Sequence, residues 1–171
     1  MDKTKIRKLN ELDLYDILKW RNNNTVNMYM YTRHQISEKE HLKWYENNSK
    51  KEHIHLLIYE NDKNPMGFIK FNTRAINNTA EWGFYMNPDA PKGEGSKMGI
   101  TALNYAFNDI KLQEIYGECY TLNTRSMHFH TKLGFMKERE YVRTGESNIK
   151  YKHVTIFRIS KTEWNRNKSS M

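Results

Sequence analysis

Apolar residues return at helical spacing along "DLYDILKWRNN", where Leu14, Ile17 and Leu18 fall on one side of a predicted helix. The same period runs through "ISEKEHLKWYENNSK", which Ser37 and Glu40 open as an S-x-x-E capping box. Elsewhere the period shortens to that of a strand. A short strand is expected in "TKIRKLNELD" ahead of the first helix. "HIHLLIYE", "MGFIKFN" and "TAEWGFYM" read as strands, parted by the turn sequences "NDKNP" and "RAINN". Connections that short predict an antiparallel meander. A third helix is expected in "MGITALNYAFNDI", with Ala102, Tyr105, Ala106 and Ile110 on one face and Leu103 and Phe107 widening it. "EIYGECYTL" reads as a further strand, and "TRSMHFHTKLGF" as a short helix stopped by Gly134. "EREYVRTGESNIKYKHVTIFRIS" reads as a closing hairpin around "TGES", and residues 165–171 as a frayed tail. The order predicts one mixed α/β domain over residues 1–164, a mostly antiparallel central sheet of about seven strands with about four helices. The strand, Gly-rich loop, helix and strand in its middle supply one parallel crossover.

Composition narrows the partners. Aromatic residues make up 13% of the 171 positions, which excludes a disordered chain and predicts an aromatic core. The formal charge of +8 favours a polyanionic partner such as a nucleotide or phosphate cofactor. A basic nucleic-acid-binding module is the alternative from a different class; against it, Lys and Arg are scattered and form no nucleic-acid motif, so no nucleic-acid partner is expected. The single Cys119 excludes an internal disulfide framework and suits a reducing compartment. No apolar run is long enough for a membrane span, and "MDKTKIRKLN" lacks the core of an export signal. A cytoplasmic chain with no membrane partner and no metal is the expectation.

Three of the eight glycines, Gly93, Gly95 and Gly99, crowd into "PDAPKGEGSKMGITALNYAF", residues 88–107, where the third helix begins. Bare backbone feeding a helix N-terminus makes an anion site, because free amides and the macrodipole point outward and no side chain bars the approach. Lys92 and Lys97 add charge beside it. A flexible turn is the alternative. The spacing matches neither the P-loop nor the dinucleotide fingerprint. A pyrophosphate is the anion expected.

The segment "LNTRSMHFHTKLGF", residues 122–135, resembles the closing motif of GCN5-related N-acetyltransferases (GNAT), N-x-x-[AS]-x-x-[FL]-Y-x-K-x-G-F. Asn123, Ser126, Phe129, Lys132, Gly134 and Phe135 are in register with it. The resemblance implies the GNAT fold, a V-shaped cofactor cleft, acetyl-CoA as cosubstrate and direct acetyl transfer. In that family an R/Q-x-x-G-x-G/A loop grips the pyrophosphate; here the matching residues are Glu94, Gly95, Ser96, Lys97, Met98 and Gly99, with Lys92 and Gly93 just before. Glu94 and Lys97 depart from the pattern. The resemblance also assigns Asn123, Ser126, Phe129 and Lys132 to the cofactor, and lays the backbone of Phe84, Tyr85 and Met86 along the pantetheine. An amide there would stabilise the oxyanion. His130 stands where the family carries a tyrosine general acid; a histidine without chemical role is the alternative, and Tyr120 a substitute acid. Strand alternation puts Glu81 and Tyr85 on one face, making Glu81 a candidate base and Tyr85 a cleft residue. A solvated strand carboxylate is the other reading of Glu81.

The N-terminal stretch "LKWRNNNTVNMYMYTRHQISEKEHLKWYE" resembles nucleotide-sugar N-acetyltransferases of the pseudaminic acid pathway, which supplies sugars for flagellin. That implies a UDP-linked amino sugar as acceptor, acetylated on its 4-amino group. Arg21 is then expected near the diphosphate or uracil and His41 near the sugar or amine, with Glu81 and Tyr85 completing the set. Arg21 capping a helix and His41 packing inside one are the alternatives. Acetylation of a protein N-terminus is the closest rival activity, and a homodimer is left open.

Overall fold

The computed structural model describes residues 3–144 and 153–170. Strand β1 (Thr4–Lys8) leads through a 3-10 turn into helix α1 (Leu14–Asn22), the four-residue α2 (Asn24–Asn27) and α3 (Glu38–Ser49). The meander β2 (Ile54–Asn61), β3 (Asn64–Arg74) and β4 (Thr79–Met86) follows. Helix α4 (Glu94–Asn108), β5 (Glu114–Tyr120) and α5 (Thr124–Lys132) come next. Strands β6 (Met136–Val142) and β7 (His153–Ser160) and helix α6 (Lys161–Asn167) complete the order. All seven strands lie in one sheet, ordered β1-β2-β3-β4-β5-β7-β6, antiparallel except at the β4–β5 join.

Both faces of the sheet are covered, and β2 shows why its sequence is an unbroken apolar run. Leu57 and Tyr59 face one core with Ile69, Phe71, Leu103 and Phe107, beneath α4. Leu56 and Ile58 face the other with Ile17, Trp20 and Phe68, beneath α1. A strand buried on both sides has no polar face to alternate with. Helix α3 starts where its capping box predicts: the Ser37 hydroxyl accepts from the Glu40 amide at 3.3 Å, and the Glu40 carboxylate accepts from the Ser37 amide at 2.9 Å. That backbone bond leads the contacts that hold the Glu40 carboxyl down at about 2.

Three expectations change. The described residues hold six α-helices rather than about four. Helix α2 is polar and short, so it leaves no periodic signal; Asn23 caps it by accepting from the Thr25 amide at 3.0 Å. The stretch read as a frayed tail is helical through residue 170. Ser160 and Glu163 form a second capping box that opens α6, and Trp164 is fully buried, its indole N–H donating to Asn104 at 3.1 Å. Finally, α4 begins at Glu94, so most of the expected glycine loop is its first turns. The turn within "TGES" lies largely outside the described residues; its flanking strands pair antiparallel from Met136↔Arg158 to Val142↔His153.

Candidate active site

The sheet opens into a fork. Strands β4 and β5 pair only from Thr79↔Glu114 to Trp82↔Gly117. Beyond that point β4 continues along β3 to Met86, and β5 along β7 to Tyr120, without pairing each other. A wedge of rings stands at the vertex. The Trp82 indole nitrogen lies 2.5 Å from where a Cβ on Gly117 would be, and the His130 ring meets the same position, so only glycine fits there. The Trp82 indole N–H donates to His130 Nε2 at 3.2 Å, and His130 Nδ1 donates to the Ser126 carbonyl at 2.8 Å. This fixes the tautomer, with the proton on Nδ1. His130 also stacks on Phe157 at 4.7 Å. Burial, opposed by the Ser126 bond, lowers its pKa to about 4.

Beyond the vertex the arms present two faces. The β3–β4 register runs without a shift, so alternation holds to the end of β4. Phe84 and Met86 turn toward the α4–α5 core, Phe84 reaching Phe129 at 4.7 Å between ring centroids. Tyr85 turns toward α1 and packs on Phe68 at 5.0 Å; burial raises its phenol pKa. Glu81 shares that face but lies in the closed ladder, level with Tyr116, exposed and paired with Arg74. Across the gap, Glu118 is the first residue of β5 past the vertex. Its carboxylate accepts from the Tyr31 hydroxyl at 2.6 Å and from the Tyr141 hydroxyl at 3.1 Å. Tyr31 meets Tyr120 edge-on at 5.2 Å. The Arg143 guanidinium lies 3.8 Å over the Tyr31 ring, and that of Arg33 lies 5.7 Å from the Tyr120 ring centre.

Arg21 acts on this face from behind, and His41 does not reach it. Arg21 donates to Asn27 Oδ1 at 2.6 Å and to the Thr32 carbonyl at 2.5 Å, while Asn27 donates to the Arg33 carbonyl at 2.6 Å. These bonds fasten the segment between α2 and α3 that carries Tyr31 and Arg33. Burial lowers the Arg21 pKa. His41 is only 6% exposed and stacks on Trp44 at 5.2 Å, beside the backbone of Leu14. It belongs to the core between α3 and α1, which overturns the expectation that it faces an acceptor. Burial lowers its pKa.

At the start of α4, Gly93 is the N-cap with φ of 96°, a left-handed value that favours glycine. Nothing lies within 4 Å of a Cβ placed at Gly93 or Gly95, so this backbone is open to an approaching group. Lys132 reaches over from α5 and donates to Ser96 Oγ at 3.1 Å. Exposed Lys92 completes a cationic rim suited to a diphosphate. Lys97 stays exposed, while Glu94, Met98 and Gly99 turn inward. Glu94 is 3% exposed and accepts from Tyr59 at 2.9 Å, from Asn61 at 3.1 Å and from Lys97 at 2.7 Å. Burial pushes its carboxyl up, and these bonds, that of Lys97 foremost, prevail to hold it below the ordinary value. Met98 is in the core, and a Cβ on Gly99 would stand 2.6 Å from Leu133 and 2.9 Å from Phe129. Gly99 therefore serves helix packing.

A fork between parallel strands, a bare-backboned helix start beside one arm and a closing helix at the vertex together make a cleft with the layout expected for an extended, diphosphate-bearing ligand. Residues 3–136 match the family model of the acetyltransferase (GNAT) domain. The chain belongs to the GNAT acetyltransferase family. It is 34% identical over 83 residues to the SPbeta prophage-derived uncharacterized N-acetyltransferase YokL of Bacillus subtilis (strain 168). That match covers 46% of this chain and 46% of that protein, so the chain spans about half the length of this relative. It is 26% identical over 127 residues to the acetyltransferase PseH of Campylobacter jejuni, covering 74% of this chain and 79% of that one. Among solved structures, the spermidine N-acetyltransferase from Vibrio cholerae in complex with CoA and spermine superposes with a TM-score of 0.86 at 23% identity. That superposition covers 95% of this chain and 98% of the other, and it speaks for the fold.

Within the GNAT closing motif, the structure sorts architecture from chemistry. Asn123 caps α5 by accepting from the Ser126 amide at 3.1 Å, and Gly134 ends it at φ of 85°. Phe129 packs between α4 and β4, and Lys132 alone reaches the cradle. His130 departs from the acid role expected of it. A neutral imidazole, 1% exposed, with both nitrogens engaged inside the protein has no proton positioned for a thiolate. Glu118, Tyr31, Tyr141 and Arg143 were absent from the sequence-derived site. Alternation along "EIYGECY" carries the missed signal, since it sets Glu118 beside Tyr120 and opposite Gly117 and Cys119.

Proposed function

We propose that this GNAT chain transfers the acetyl group of acetyl-CoA to the 4-amino group of a UDP-linked amino sugar, as in the pseudaminic acid pathway. Gly93, Gly95, Ser96, Lys92 and Lys132 would hold the cofactor's diphosphate at the start of α4. The open edge of Gly83–Met86 would receive the pantetheine, and a backbone amide there would polarise the thioester carbonyl. The observation that carries the acceptor assignment is the chemistry of the face around Glu118. One carboxylate is flanked by two arginines held against tyrosine rings, Arg143 on Tyr31 and Arg33 on Tyr120. A polyamine calls for several carboxylates and is repelled by guanidinium groups. A UDP-amino sugar matches the set: its amine suits the carboxylate, its diphosphate the arginines and its uracil the aromatic rings. The similarity to PseH over 127 residues supports the same acceptor class.

The test is thiol release from acetyl-CoA with a panel of UDP-4-amino sugars, N-terminal peptides and polyamines. The UDP-amino sugar is expected to exceed spermidine in kcat/KM by at least about tenfold, or about 1.4 kcal/mol of transition-state discrimination. A preference for spermidine or for a peptide overturns the assignment.

A further inference from the structure

Lys70, in the middle of β3, is half-buried and has no hydrogen-bond or ion-pair partner among the described residues. It lies on the α1 side of the sheet, two places along from Phe68. Its partner across the ladder is Gly83. Gly83 is the first residue of β4 past the last β4–β5 pair, and nothing lies within 4 Å of a Cβ placed on it. The backbone that carries this ammonium is thus one strand spacing, about 4.8 Å, from bare backbone at the mouth of the fork. We infer that Lys70 selects the acceptor by charge, pairing with a phosphate group of an acceptor that lies over Gly83 and turning polycationic amines away; this rests on the anionic-acceptor reading above.

The charges around Lys70 favour an anion. Lys51, just after α3, and Glu81 on β4 act on it, and Arg74 already pairs with Glu81. Lys51, Lys70 and Arg74 therefore outnumber the one carboxylate among them. Burial foremost, and then Lys51, lowers the Lys70 pKa, with Glu81 opposing. An ammonium held partly out of water without a partner costs free energy, which a phosphate oxygen at hydrogen-bond distance returns. A second ammonium brought to the same place meets like charge and is disfavoured. Gly83 serves both effects, because no side chain above its backbone keeps an acceptor from meeting Lys70 and the fork together. Arg33 and Arg143 stand with Tyr120 and Tyr31 on the β5 side of the gap, so Lys70 supplies a cation on the opposite arm.

The experiment measures kcat and KM for the full chain and for Lys70→Gln, Lys70→Arg and Lys70→Glu with acetyl-CoA saturating. The acceptors are a UDP-4-amino sugar, the same amino sugar without UDP, and spermidine. A hydrogen bond to a charged group is at stake, so Lys70→Gln is expected to lower kcat/KM for the UDP-linked acceptor by about tenfold or more, mostly through KM. For the free sugar the change should stay within about twofold. Lys70→Arg should keep most of the wild-type value. Lys70→Glu should lower it further for the UDP-linked acceptor and raise it for spermidine. Thermal melting with and without acetyl-CoA checks that each variant is folded and binds the donor. A wild type that uses the UDP-linked acceptor, with Lys70→Gln either unchanged or equally impaired on both sugars, overturns the role of Lys70 alone. A wild type that prefers spermidine, or that binds acetyl-CoA and acetylates none of the three, overturns the acceptor reading and this role with it.

Discussion

His130 illustrates how depth decides the chemistry of a single residue. Its folded pKa of about 4 lies below the unfolded value of about 6.5, so between these values the unfolded chain binds the extra proton. Stability from this group is therefore complete above pH 6.5 and declines as the pH falls toward 4, by at most about 3 kcal/mol. His41, also buried with a lowered pKa, adds to the same slope. His55, whose pKa burial and then Lys8 also lower, adds a third, and replacing His130 with Phe removes one of the three. Urea denaturation at a series of pH values is expected to show a shallower acid decline for His130→Phe than for the wild type, whatever their difference at pH 7. Equal slopes would mean that His130 titrates normally. The motif register located this residue from the sequence alone, yet its role depended on Trp82, 48 positions away, whose indole occupies the second ring nitrogen. Glu118 was the reverse case: strand alternation gave its face, but its importance depended on where β4 and β5 part, which is a property of pairing and has no local signature.

Among the elements, the three clustered glycines answer to three different demands. Gly93 takes a left-handed cap, Gly95 lies on the open side of the first turn, and Gly99 lets α4 approach α5. Their spacing announced a special helix start, as read from the sequence. It did not divide them, because the contact that claims Gly99 comes from Leu133 and Phe129 on a helix still to come in the chain. Alanine separates the roles. Gly99→Ala is expected to cost about 1–3 kcal/mol through overpacking against those side chains. Gly95→Ala, with open space for its methyl group, is expected to leave stability unchanged or raise it by up to about 1 kcal/mol, the gain of alanine over glycine in a helix. Chemical denaturation of the two variants checks both, and a Gly95→Ala loss as large as that of Gly99→Ala would contradict the division. Capping chemistry was the most legible signal of all: Ser37 with Glu40 announces α3. The same pattern at Ser160 and Glu163, overlooked in a stretch read as strand and tail, opens α6.

For the whole molecule, the fork makes the sheet a structure in two parts joined by a short parallel ladder, with β1–β4 on one side and β5, β7 and β6 on the other. Past Trp82 the β5-facing edge of Gly83–Met86 has no strand partner among the described residues. A donor lying in the gap, with its diphosphate at Gly93–Ser96, would engage both sides at once, and the +8 charge favours its approach. Any ligand that binds only the folded state stabilises it by mass action, about 2.7 kcal/mol at a hundredfold excess over Kd. For a domain of this size that corresponds to a rise of about 5–10 °C in Tm. The rise should shrink in Lys132→Ala and at high ionic strength, because the charge on the cradle is exposed and salt screens it. Hydrogen exchange gives the location that melting cannot. The amides of residues 83–86 should slow on adding acetyl-CoA far more than those of 79–82, which the ladder already protects. An unchanged Tm together with unchanged exchange in β4 would mean that the gap does not hold the donor. A shifted Tm with protection confined to α4 would mean that the cradle binds the diphosphate while the arms of the fork stay empty.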